Sequence, residues 1–368
     1  MRVLFTTNIP SPYRVDFFNE LGKYCDLTVL FESQTDKSRD ANWLADKVTK
    51  FNAVFMKGIK KGSADAFCPE VLKYLSLKKY DVIVIGAYHT PTGMMAIQYL
   101  KMRNIPFILS SDGGMKKTEH RINYRIKKYF ISSASAWLST GAITNEYLEY
   151  YGAKKEKIYV YPFTSIKKAM ILEKPLSTEE KLKIRRELGM LEDKIVLSVG
   201  QFIHRKGYDV LLEACKDLDN NIGIYIVGGQ PTEEYIRLKH EFELTNVHFI
   251  DFMKPPQLAK YYQASDLFVL PTREDIWGLV INEAMSQGLP IITTSKCVAG
   301  MEMINGEENG LIIPINDVDQ LQTGMVKLLN SVNYDQRCIN NLNTSHEYTI
   351  EKMAVRHIEV FMKIRKIA

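Results

Sequence analysis

Three carboxylates and a glycine crowd one short stretch of this chain, Pro271–Ile292, which reads PTREDIWGLVINEAMSQGLPII. Glu274 and Asp275 stand in its opening loop, Gly278 follows, and Glu283 lies near the start of a helix-like segment. An apolar run, Leu267–Leu270, precedes the stretch, and Ile291–Thr293 closes it. Strand, loop, helix and strand in that order leave a loop and a helix start at the carboxyl edge of a parallel sheet. Carboxylates at such an edge accept hydrogen bonds from hydroxyls. Backbone N–H groups at the helix start, here those of Gly278 and Leu279, face an anion. A ligand that carries both hydroxyls and phosphates, as a sugar nucleotide does, suits the combination. Each acid also has a plainer reading. Glu283 alone is a helix-start acid that offsets the macrodipole, and Glu274–Asp275 alone is a solvated turn.

Cations lie in a second turn of the same kind. Gly200–Gly207, GQFIHRKG, follows the strand-like KIVLSV and precedes DVLLEACKDL. Its Arg205 and Lys206 suit a diphosphate, Arg as a planar fork and Lys as a point charge. The alternative is a solvated basic turn. A third run, IGIYIVGG, ends in Gly228–Gly229, where the missing side chains permit close approach of either a ligand or another backbone segment. After the next strand comes SKCVAGMEMINGEENGLIIP, with Ala299–Gly300 and Glu302 in one more turn and Asn309–Gly310 marking a turn before a strand.

These turns need strands to hold them. Val3–Thr6, Leu27–Phe31, Val82–Ile85, Phe107–Ser110 and Trp137–Ser139 read as strands of a first half. Ile195–Val199, Ile224–Val227, Val247–Ile250, Leu267–Leu270 and Pro290–Thr293 read as strands of a second. Arg14–Lys23, Thr92–Met102, Asp209–Leu218 and Gln257–Gln263 read as intervening helices. The apolar runs are continuous rather than alternating, as expected for strands covered on both faces. The rhythm predicts two doubly wound parallel sheets, in domains 1–165 and 166–347, with a C-terminal helix, 348–368, packing back on the first. The break falls in Pro162–Arg186, where Ser177 and Glu180 form a capping-box pattern ahead of a charged helix.

With 368 residues, two domains are the default. Apolar residues make up 46% and charged ones 25%, ordinary for a globular protein. A net charge of +5 fits anionic ligands or an anionic membrane surface and is too weak to argue for nucleic acid. The five cysteines are odd in number and none pair at metal-ligand spacing, so they read as free thiols in a reducing compartment. The opening residues read as a first strand rather than a leader, and no run approaches the roughly 18 apolar residues of a spanning helix. The expectation is a cytoplasmic protein. The helical segment Glu119–Phe130 carries Ile122, Ile126, Tyr129 and Phe130 on one stripe and Arg121, Arg125 and Lys128 on another. It is either a helix that lies on anionic lipid or an ordinary packed surface helix.

Taken in order over roughly Ile195–Pro314, these pieces resemble glycosyltransferase family 4, retaining enzymes of the GT-B fold. The likeness rests on Gly200, Lys206 and Gly207 in the first turn, the strand ending in Gly228, ASDLFVLPT, WGLVINEAMSQGLPII, Gly300 with Glu302, and NGLIIP. In the first half, IPSPYRVDFFNEL and SSDGG resemble segments of bacterial members that build polysaccharides.

The resemblance implies two Rossmann-like domains with a cleft between them and a nucleotide-diphosphate sugar bound by the second. It also implies a glycan or lipid-linked glycan acceptor on the first, and no metal or other cofactor. The family has two acids separated by seven residues. Counting back from Glu283, which would bind the ribose hydroxyls, the partner is Asp275, one methylene shorter than the usual Glu, with Glu274 beside it as an alternative contact to the transferred sugar. Gln201 stands where the family usually has Arg. Arg205 and Lys206, or the N–H groups of Gly278, Leu279 and Met301, would then carry the diphosphate. On the acceptor side stand Tyr13 and Arg14 after the loop NIPSPYR, and His89 in GAYHTPTG. Arg14 is either an acceptor-phosphate ligand or a surface arginine. Asp112, where many members have His, either orients or deprotonates the acceptor hydroxyl or caps a turn. A sugar-nucleotide 2-epimerase and a non-catalytic binding protein are the rival readings. The Asp-x-Asp spacings at Asp217–Asp219 and Asp317–Asp319 read as solvated acids rather than metal ligands.

Overall fold

The structure, a computed structural model, describes residues 1–34, 48–61 and 65–365. It divides into two compact units, Met1–Ser165 with Tyr348–Ala368, and Ile166–Glu347. The first unit carries strands β1 (Arg2–Thr7), β2 (Asp26–Phe31), β3 (Asn52–Phe55), β4 (Ile59–Lys61), β5 (Asp65–Phe67), β6 (Val82–Ile85), β7 (Ile108–Ser110), β8 (Ala136–Ser139) and β9 (Ile158–Val160). Seven form one parallel sheet in the order β3-β2-β1-β6-β7-β8-β9, while β4 and β5 make a separate antiparallel pair. The second unit carries β10 (Lys194–Val199), β11 (Ile222–Val227), β12 (Val247–Ile250), β13 (Leu267–Leu270), β14 (Ile291–Thr294) and β15 (Gly310–Ile313), in the order β12-β11-β10-β13-β14-β15. That is the doubly wound Rossmann order, which reverses between β10 and β13; in the first unit the reversal falls between β1 and β6. Ligands of open α/β sheets bind outside the carboxyl ends of the strands at that reversal.

The central strands are the runs that the sequence marks, because they are apolar throughout: β6 and β13 are buried at every residue. The edge strands β3 and β9 escape such a reading. Each is paired on one side only and none of its residues is fully buried, so neither needs a continuous apolar run.

The charged helix Thr178–Leu188 forms with its capping box closed. The Ser177 hydroxyl accepts from the Glu180 N–H, and the Glu180 carboxylate accepts from the Ser177 N–H at 2.7 Å. Two of its cations are not solvated. Lys181 and Arg185 are buried and share Asp266, at 3.1 and 2.6 Å, which ties the helix to the start of β13. The helix Tyr334–Glu347 belongs to the second unit. The tail helix runs Ile350–Arg365 on the first, beside the helix Pro12–Leu21. The expected end of that tail, residues 366–368, lies outside the described residues. Cys25, Cys68, Cys215, Cys297 and Cys338 are all free thiols, and all but Cys25 are buried.

Candidate functional site

The reversal in the second unit brings two of the marked turns side by side. After β10 the chain passes Gly200 and makes a single 3-10 turn, His204–Lys206. After β13 it runs from Pro271 to Gly278 before the helix Leu279–Ser286 begins. The two loops are laced together. The Arg273 N–H and the Thr272 hydroxyl both donate to the Arg205 carbonyl, at 2.8 and 2.9 Å, and the Arg205 guanidinium donates to the Glu274 carbonyl at 2.6 Å. Arg273 clamps the turn from outside. It forks onto Asp209 at 2.8 and 2.5 Å and donates to the His204 carbonyl and to Asn316. Sequence reading missed this clamp, since an isolated Arg and a helix-start Asp carry no local signal.

Within this frame Lys206 meets Asp275 at 2.8 Å, with Arg205 at 3.7 Å from the same oxygen. The Lys206 and Asp275 side chains are 10% and 13% exposed, so the pair is nearly out of water. The cation and the acid singled out from separate turns therefore form one ion pair. Glu274, next in the chain, is half-buried.

The helix after the loop starts on Gly278, whose φ of 101° lies in the left-handed region that favours glycine. A side chain there would also stand 2.8 Å from the Cys297 sulfur. Leu279 is the first helical residue, so its N–H has no partner within the helix and faces the carboxyl edge. Glu283 lies one turn further along and accepts from the hydroxyl of Tyr262 at 2.9 Å. Tyr262 belongs to the helix Pro255–Ala264, and nothing in the local sequence announces its role.

Two expectations change. Met301 does not offer its N–H to an anion: the helix Val298–Met303 starts early enough that this group donates to the Cys297 carbonyl at 3.1 Å. The N–H groups of Val298 and Ala299 donate to the carbonyls of Asp275 and Trp277, at 3.1 and 2.8 Å. The segment braces the site loop. At Gly228 a side chain would lie 1.8 Å from the Gly200 carbonyl, so the glycine serves the close approach of two backbone ends, the second of its two expected uses. Gln201 is exposed in the turn beside Arg205 and Lys206.

In the first unit Asp112 and Arg14 come together at the carboxyl edge of β1 and β7. One Asp112 oxygen pairs with the Arg14 guanidinium, and the other accepts from the Tyr161 hydroxyl at 3.1 Å. Burial disfavours the charge of Arg14, but Asp112, with Tyr13 and Tyr161, more than offsets it and raises the guanidinium above its usual range. Arg14 is thus a paired cation with its side chain 12% exposed and not a surface arginine. Tyr13 packs edge-on to Phe163 at 5.7 Å. His89 is exposed in the turn after β6, its ring beside Tyr88.

The expected basic helix runs Arg121–Ile131. Only Ile131 is buried, whereas Ile122, Ile126 and Tyr129 are 59%, 42% and 40% exposed. Lys127 pairs with Glu119 at 3.0 Å, and Lys101 lies over the Tyr129 ring. Among the described residues no helix is long and apolar enough to cross a membrane.

Residues 180–344 match the family model for glycosyl transferases group 1. An uncharacterized glycosyltransferase of Methanocaldococcus jannaschii is 28% identical over 194 residues, half of this chain and 49% of that protein; the chain thus spans about half the length of the curated relatives it first matches. Among solved structures, sucrose-phosphate synthase from Thermosynechococcus elongatus superposes with a TM-score of 0.78 at 18% identity, over the whole of both chains. HepE from Anabaena, solved in complex with UDP and glucose, superposes with a TM-score of 0.73 at 15% identity, over all of this chain and 99% of that one. The two parallel sheets of seven and six strands and these likenesses establish the GT-B fold.

Proposed function

We propose that this protein is a retaining, metal-independent glycosyltransferase. It moves a hexose-type sugar from a uridine-diphosphate sugar to a saccharide or lipid-linked saccharide acceptor in cell-surface polysaccharide synthesis. The observation that carries the reading is the convergence at the β10/β13 reversal of Arg205, Lys206, the open start of the helix Leu279–Ser286 and the Glu283 carboxylate. Glu283 takes the ribose hydroxyls. The cations and the helix start take the diphosphate and stabilise the charge that develops on it as the glycosidic bond breaks, which is how such a leaving group departs without metal. Asp275, held by Lys206, positions that cation, and Glu274 is the acid that meets the transferred sugar. Retention then follows from attack on the leaving-group side, helped by the departing phosphate oxygen. The choice of uridine is supported by the UDP bound to HepE.

The first unit takes the acceptor, with Tyr13, Arg14, His89 and Asp112 along its carboxyl edge. Asp112 is engaged on both oxygens, which favours an orienting role over proton abstraction. The exposed stripe Ile122, Ile126 and Tyr129, flanked by Arg121 and Arg125, seats the protein on the anionic inner face of the plasma membrane, where a lipid-linked acceptor lies.

The test is turnover of UDP-sugars in EDTA with saccharide and lipid-linked acceptors, read by product analysis. A glycosylated acceptor that keeps the donor's anomeric configuration is the expected result. Activity that returns only with added Mg²⁺ would overturn the metal-free mechanism. Conversion of the sugar nucleotide without any acceptor would identify an isomerase instead.

A further inference from the structure

We infer that Tyr262 is a positioning residue of the donor site, whose hydroxyl fixes the Glu283 carboxylate for the vicinal ribose hydroxyls of a nucleoside diphosphate; this rests on the reading of Glu283 given above. Tyr262 is 3% exposed, and its ring packs against Phe268 of β13 at 5.7 Å between centroids, so the core determines where its hydroxyl lies. That hydroxyl donates to Glu283 Oε2 at 2.9 Å. Burial, followed by the charge of Glu283, holds the phenol well above its usual titration range. The phenol therefore keeps its proton at neutral pH and donates to the carboxylate.

Glu283 itself is half-buried on its helix and has three side-chain torsions. The bond from Tyr262 holds Oε2 in place and narrows the rotamers that a ligand meets. An ionised carboxylate has about four lone-pair sites on two oxygens. The Tyr262 hydroxyl takes one of these sites on Oε2 and so restrains the plane of the group. A ribose presents two adjacent hydroxyls, and a preset carboxylate plane is what a paired contact requires. The bland alternative is that Tyr262 merely staples the helix Pro255–Ala264 to the helix Leu279–Ser286. Such a staple would affect stability and leave ligand selectivity alone.

Calorimetry with UDP and with 2′,3′-dideoxyuridine diphosphate separates these cases in the wild type, Tyr262→Phe, Glu283→Gln and the double variant. The wild type should prefer the ribonucleotide. Tyr262→Phe should cut that preference about tenfold to a hundredfold, in line with loss of a hydrogen bond to a charged group, and leave dideoxy binding within about twofold. Adding Tyr262→Phe to Glu283→Gln should change nothing further. Wild-type preference retained in Tyr262→Phe overturns the positioning role, even if the melting temperature falls. No preference or no binding in the wild type overturns the ribose reading of Glu283 and this inference together. Preference lost in Tyr262→Phe but kept in Glu283→Gln shows that Tyr262 acts by another route and also overturns the inference.

Discussion

Lys206 and Asp275 hold one another at 2.8 Å with little water on either side chain. If Lys206 binds phosphate, Lys206→Met should weaken UDP binding at least about tenfold yet leave uridine within about twofold, as measured by calorimetry. Equal losses for both ligands would place Lys206 elsewhere. Glu283→Ala should behave in the opposite sense and weaken uridine and UDP alike, because both carry the ribose; unchanged uridine affinity would remove Glu283 from the ribose. The spacing from Asp275 to Glu283 was legible because it is a local count along one loop and one helix. The ion pair to Lys206 and the bond from Tyr262 were not, since they join residues 69 and 21 positions apart through the sheet order. The N–H of Met301, closed by the Cys297 carbonyl, is not legible for a related reason. Whether a backbone donor is open depends on where its helix starts, and sequence fixes helix ends only loosely.

At the scale of elements, the two loops at the reversal act as one body because Arg273 clamps them. Its side chain is 17% exposed and forks onto Asp209, so removal costs bidentate geometry as well as charge. Arg273→Ala should raise the KM for donor and lower turnover together, and Arg273→Lys should not restore either, since a point charge cannot reproduce the fork. Full rescue by lysine would reduce the clamp to simple electrostatics. The helix Arg121–Ile131 calls for a different test. Ile122→Glu with Ile126→Glu should abolish cosedimentation with phosphatidylglycerol vesicles and leave the melting temperature unchanged, since both residues are exposed. Vesicle binding that survives the double change would assign the stripe to something other than lipid. The apolar stripe and basic flank could be read directly from periodicity. That most of the stripe stays uncovered could not, because a helix that packs and one that waits for a surface share the same pattern. The same limit hid β3 and β9, whose half-buried edges lack the run of apolar residues that marks a central strand.

For the molecule as a whole, the chain leaves the first unit at Ser165 and returns to it at Tyr348, and the returning helix carries a buried histidine. The ring of His357 lies among Phe17 at 4.7 Å, Tyr161 at 4.6 Å and Phe361 at 5.9 Å, and its Nδ1–H donates to the Met353 carbonyl at 2.8 Å. Burial pushes the imidazole down to about 4, the Met353 carbonyl opposes the shift, and Arg356 adds to it. The unfolded chain binds this proton near pH 6.5. As pH falls below that value the unfolded state takes up a proton that the folded state refuses, so stability declines until the folded site itself titrates. The contribution is fully present above pH 6.5, is lost progressively as pH falls towards 4, and amounts to about 3 kcal/mol when complete. Urea unfolding between pH 7.5 and 5 spans most of this window, and comparison with a variant that lacks only this imidazole subtracts the other six histidines. His357→Leu keeps the volume and cannot titrate, so its stability should decline less across that window than that of the wild type. An equal decline in the variant would trace the pH dependence to other groups. The ring of Tyr161 flanks His357 while its hydroxyl donates to Asp112, so the returning helix and the Arg14–Asp112 pair share one side chain. Acid that loosens this helix should therefore disturb the Arg14–Asp112 pair before the second unit, with its own separate core, responds.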